Sequence, residues 1–95
     1  SPLEALILKA IYTLSYEKTK HSGIVTEDLP RFAKIAEESP KTVYKEPSQD
    51  VMLALANLVR IGCLKFPTTW GGGEIYTEVS PTLIGNKFVE ACTFK

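Results

Sequence analysis

The sequence predicts an α+β domain of the winged helix-turn-helix type, with a three-helix core, a β-hairpin wing and a C-terminal helix. Three observations carry this. An apolar-periodic run over residues 48–60 ends at Ile61-Gly62-Cys63-Leu64, where a strand begins. The strand turns over at Trp70-Gly71-Gly72-Gly73 and returns as Glu74-Ile75-Tyr76-Thr77-Glu78-Val79. Ser80-Pro81-Thr82 then opens a last helix through Phe88 and Cys92, and two further helical stretches precede this block.

The first helix is expected from Pro2 or Leu3 to Tyr16, with Pro2 in the first turn, where a missing N–H costs nothing. Leu3, Ala5, Leu6, Ile7, Leu8, Ala10, Ile11 and Leu14 wrap around most of it, a broader apolar surface than one packing face needs. The second side implies a protein contact. Residues 17–23 read as a polar connector, and Ile24-Val25-Thr26 as a short first strand. A second helix is expected over residues 29–39, capped by Thr26 or Asp28, with Phe32, Ala33, Ile35 and Ala36 facing inward and Pro40 ending it. In the loop at 41–47, Val43 and Tyr44 are expected to tuck an apolar edge under the domain.

Ser48 is a suitable N-cap for the third helix, and Asp50 in its first turn suits the helix dipole. Val51, Met52, Ala54, Leu55, Leu58 and Val59 share its inner face, while Gln49, Asp50, Leu53, Asn57 and Arg60 lie outside. Gly62 is placed to end the helix with a positive φ. In the hairpin, Leu64 and Phe66 alternate with Lys65, and Ile75, Thr77 and Val79 with Tyr76 and Glu78. Ser80 or Thr82 caps the last helix, whose apolar positions are Leu83, Ile84, Phe88, Val89 and Cys92.

Composition bounds the function. Ninety-five residues make one domain, and a hydrophobic content of 44% supports a core. Eleven basic residues cancel eleven acidic ones, whereas phosphate binding ordinarily calls for a positive excess. The chain begins Ser-Pro and reads as a piece of a longer protein whose N-terminal region is elsewhere. No apolar run reaches the length of a membrane span, and a cytoplasmic setting with buried, reduced Cys63 and Cys92 is expected.

No catalytic constellation is legible, and no cofactor is expected. The single histidine, His21, and two separated cysteines lack metal-ligand spacing. The glycines after Trp70 lack the spacing of a phosphate loop. Lys18, Lys20 and His21, with Lys41 and Lys45, are the local basic clusters and read as solvated loop residues.

Two surfaces remain. For protein contact, the outer face of the first helix, with Leu8 and Tyr12, and the Leu53 side of the third would dock apolar surface against the absent N-terminal region, a second copy or another protein. For DNA, Gln49 and Asn57 suit adenine and Arg60 suits guanine or phosphate in the major groove, with Lys65, Thr68, Thr69 and Trp70 as a wing. The bland readings are solvated polar residues on a structural helix, and a hairpin turn with Trp70 folded back over its strands. Exposed Leu53 and the missing positive charge favour the protein contact.

One resemblance adds to this. Leu58-Val59-Arg60-Ile61-Gly62-Cys63-Leu64, the strand at Tyr76, and the stretch from Ser80 to Cys92 resemble the C-terminal part of the Abi-alpha family of phage abortive-infection proteins. That family closes on Thr-x-x-Gly-x-x-Phe-x-x-x-Cys, matched in register by Thr82, Gly85, Phe88 and Cys92, and the opening residues 1–8 are similar to the start of its last helical segment. The resemblance implies a part in bacterial phage defence and supplies no catalytic residues.

Overall fold

The structure, a computed structural model, describes residues 2–37, 43–67 and 76–93. Its elements are α1 (Pro2–Tyr12), α2 (Tyr16–Thr19), β1 (Ile24–Val25), β2 (Lys34–Ile35), α3 (Gln49–Arg60), β3 (Leu64–Lys65), β4 (Glu78–Pro81) and α4 (Leu83–Thr93). The described residues thus form an α+β domain in which a small antiparallel sheet of order β2-β1-β4-β3 packs with the helices.

The core lies where α1 and α3 meet one face of the sheet. Ile7, Leu8 and Ile11 of α1 interlock with Val51, Ala54, Leu55 and Leu58 of α3, and Ile24, Leu29, Cys63, Leu64 and Val79 close the cluster. Each fully buried aliphatic side chain contributes about 1.5–3 kcal/mol. The buried hydroxyls are paired: Thr19 donates to the Ser15 carbonyl at 3.0 Å, and Thr26 to that of Tyr76. Among the described residues the ion pairs Lys20–Glu17, Arg31–Asp28 and Lys87–Glu90 each span three residues along the chain and contribute little.

Helix α3 follows its sequence closely. The Ser48 hydroxyl accepts from the Val51 amide at 3.4 Å, and Gly62 adopts φ +88° just past the helix end. Helix α1 stops at Tyr12 rather than Tyr16. The Leu14 amide bonds back to Ile11 at 3.2 Å, and Ser15 starts the separate short helix α2 inside the stretch expected to be a connector.

The second long helix is not there. Asp28 accepts from the amides of Arg31 and Phe32 in a single turn, the Leu29–Pro30 peptide is cis, and Lys34–Ile35 form an edge strand. The apolar spacing of Leu29, Phe32, Ala33, Ile35 and Ala36 fits helix and strand alike, and the free edge of β1 decides the outcome. Ile24 pairs with Ile35, and the Ala36 amide bonds to the Gly23 carbonyl at 2.9 Å. Phe32 and Ile35 are consequently exposed rather than inward.

Val43 is also a correction: it stands 89% exposed. Tyr44 is half-buried, its hydroxyl accepting from the Glu37 amide at 2.8 Å. Of the cysteines, Cys63 is buried as expected, but Cys92 is exposed on α4.

Strand β4 runs to Pro81, beyond the expected end at Val79, because β1 and β3 flank it on both sides. Phe66 and Tyr76 meet edge to face at 4.9 Å where the hairpin opens toward the tip. The tip itself, including Thr68, Thr69 and Trp70, lies outside the described residues.

Helix α4 is held at its N-terminus. Thr82 Oγ1 accepts from the Gly85 amide at 2.9 Å and donates to the Gly62 carbonyl at 2.6 Å. The Tyr12 hydroxyl donates to the Cys63 carbonyl at 2.8 Å and accepts from the Thr82 amide at 3.0 Å. Gly85 packs directly beneath, and a Cβ there would strike the Tyr12 hydroxyl and the Cys63 carbonyl. Gly85→Ala should therefore lower stability by about 1–3 kcal/mol, the cost of forced overpacking, read as a lower urea midpoint with the same slope.

Burial pushes the Tyr12 phenol above its ordinary value. The unfolded chain then loses this proton at a lower pH than the folded one. The stabilisation is complete below the ordinary phenol value of about 10 and is lost as pH rises through the higher folded value. Unfolding midpoints followed above about pH 10 should fall more steeply for the wild type than for Tyr12→Phe. Parallel curves would assign no such role to this phenol.

Candidate docking groove

Helices α1 and α4 run antiparallel: the Tyr12 end of α1 meets the start of α4, and further along Ala5 and Phe88 line one groove. The C-terminal turn of α3 lies beneath them. Where the three diverge they leave a groove of about 160 Å³, lined by Glu4, Ala5, Leu8, Leu58, Ile61 and Phe88. Leu8 and Leu58 form its floor and are buried; Ile61 and Phe88 form its walls, each 51% exposed. Ile84, 66% exposed, lies one turn before Phe88 on α4, with its side chain near Gly62.

The exposure follows from the helix spacing. Gly85 and Val89 turn inward, Val89 against the core, which leaves Ile84, Phe88 and Ala91 one flank around the helix and outside it. Leu83, 57% exposed, lies on the opposite flank beside Lys87. Of the apolar positions Leu83, Ile84, Phe88, Val89 and Cys92 read from the sequence, Val89 packs against the core and the other four are exposed.

The residues expected to dock protein are placed differently. Leu8 is buried under the groove, and Tyr12 is half-buried with its hydroxyl engaged at the α4 junction, so neither offers a free outer face. Leu53 is 66% exposed but stands on the far side of α3 from the groove, among Gln49 and Arg60.

The face expected to read DNA is partly committed. Gln49 is exposed, and Lys65 is exposed on β3. Asn57 is engaged through both ends of its amide, donating to Glu4 Oε1 at 2.8 Å and accepting from Arg60 at its Oδ1. This relay ties α3 to α1 and holds the Arg60 guanidinium along the helix surface. An adenine contact by Asn57 would require breaking it.

A second depression, about 370 Å³ and largely polar, lies at the β1–β2 end of the sheet among His21, Ser22, Gly23, Ile35, Ala36, Glu37 and Glu78. Glu78 Oε1 lies directly over Gly23, in the space a Cβ would take. No group of three or more His, Cys, Asp or Glu side chains among the described residues is arranged to hold a metal ion.

Compared with protein-family models, curated proteins and solved structures, the chain matches none of them. No helix among the described residues is long and apolar enough to cross a membrane.

The two thiols differ sharply. Burial raises the Cys63 thiol above its ordinary value, while Cys92 stands on the surface. A maleimide at neutral pH should label Cys92 within minutes and reach Cys63 only as the domain unfolds. Equal labelling rates in the native protein would contradict the packing of Cys63 under α4.

Proposed function

We propose that this domain is a non-catalytic protein-docking module whose receiving surface is the groove between α1, α3 and α4. The observation that carries this is the division of labour within the closing motif. Thr82 caps α4 and Gly85 allows its close approach, so the fold accounts for both. Phe88 and Cys92 lie outside the core, exposed beside and beyond the groove. A half-exposed phenylalanine over an apolar floor suits an interface anchor. The resemblance of that motif to the Abi-alpha family supports reading the module as part of a larger bacterial cytoplasmic protein of phage defence.

The finer fold reading within α+β is a winged helix. Support comes from β1 pairing with β4, the returning strand of the hairpin, and from α3 leading directly into β3. The departure is β2, which occupies the place of the second helix.

A second reading, a winged-helix DNA reader, draws on exposed Gln49, Arg60 and Lys65. Against it stand the zero net charge and the committed Asn57 amide. Fluorescence anisotropy with labelled mixed-sequence duplex DNA separates the two. The expected outcome is no salt-dependent binding at low ionic strength and no effect of Arg60→Ala; tight binding that weakens steeply with salt would reverse the ranking.

The docking surface is tested by comparative capture with wild-type protein, Phe88→Glu and Leu53→Glu. A protein retained by the wild type and Leu53→Glu but lost with Phe88→Glu supports the groove. Equal retention by all three would overturn it.

A further inference from the structure

We infer that the groove's occupant is a second copy of this chain, docked about a two-fold axis with the two α4 helices antiparallel. This rests on the docking reading above and names its partner. Three features of the surface lead to it.

The first is shape. A two-fold interface uses one patch on both subunits, so that patch must hold a projection and its matching recess together. Here they are neighbours. The recess of about 160 Å³ is floored by Leu8 and Leu58, Phe88 projects at its wall, 51% exposed, and Ile84, 66% exposed, stands one turn before it on α4. Apolar space of about 150 Å³ is enough to take a benzene ring. An axis passing near Phe88 lays the two phenyl rings side by side and seats each over the recess of the other copy.

The second is charge. Glu4 forms part of the groove wall, and Lys87 precedes Phe88 on α4. Glu4 is held by Asn57 and Lys87 by Glu90, so both charges enter the interface already paired and neither opposes it. The chain's zero net charge means that two copies approach without long-range repulsion. A strongly basic or acidic partner would find no matching field.

The third is area. Ile61, Ile84, Phe88, Ala5 and Ala91 are exposed on this side and together leave on the order of 400 Å² of largely apolar surface open, within the range of about 300–600 Å² for the largest patch on a monomer. A standard two-fold interface takes about 800 Å² from each subunit, somewhat over half of it apolar. The patch is therefore the right size for one small symmetric dimer.

Sedimentation equilibrium over a wide concentration range tests this directly. The wild type is expected to pass from the 10.5 kDa monomer to twice that mass as concentration rises. Phe88→Glu should raise the dissociation constant by at least about tenfold. Ala91→Glu, at an exposed position on the same flank, should do the same with no risk to the core, while Leu53→Glu should leave dimerisation unchanged. A spin label on Cys92 reports orientation: antiparallel helices crossing near Phe88 place the two Cys92 Cα atoms about 15 Å apart.

A wild type that stays monomeric at every concentration, or a dimer indifferent to both Phe88→Glu and Ala91→Glu, would overturn the inference. The docking reading is judged separately. A monomer that still retains a different protein, lost with Phe88→Glu, removes the second copy as occupant and leaves the groove as a docking site. A monomer with no such partner removes both.

Discussion

The structure hangs on one hydroxyl. Tyr12 reaches from the end of α1 across to the α3–β3 turn and the start of α4, donating to Cys63 and accepting from Thr82. The two partners are backbone groups far from Tyr12 in the chain, flanking the Leu64–Pro81 pair of the sheet. Without the phenol, the Thr82 amide and the Cys63 carbonyl would be half-buried with their pairing lost, at about 1–3 kcal/mol for each unsatisfied group. Thr82 completes the junction by spanning Gly62 and Gly85 with its own hydroxyl. The glycine at 85 is then required by space, since any side chain would push the helix off the Tyr12 hydroxyl.

This junction explains which parts of the fold the sequence disclosed. The Ser48 cap, the positive φ at Gly62 and the Thr82–Gly85 start of α4 are local chemistry, fixed by residues within four positions of one another. They could be read from the chain. The exchange of a second helix for β2 could not, because Leu29, Phe32, Ala33, Ile35 and Ala36 satisfy either spacing and the choice rests on the open edge of β1 ten residues away. Tyr12 was legible as an aromatic on the first helix but not as a linker, since its partners lie fifty-one and seventy residues on.

The functional surface shows the same division. Leu53 looked like a docking residue because it breaks the polar pattern of α3, and it is exposed, yet it has no apolar neighbour in the groove. Asn57 looked like a base reader because of its residue type, and its amide is consumed by Glu4 and Arg60. Residue type nominates a chemistry, but whether the side chain is free to perform it depends on long-range partners. Ile61 and Phe88 were legible only as apolar residues at a helix end and on the last helix, because the groove they wall is assembled from α1, α3 and α4.

The groove and the junction are consequences of the same packing. Pinning α4 at Thr82 and Gly85 draws its first turn against α1, because glycine permits the approach there. Three residues on, Phe88 lies half-exposed on the flank of α4, beside a recess floored by Leu8 and Leu58. The side chain that walls the groove is thus also the one that projects from it, which is the property a self-complementary surface needs.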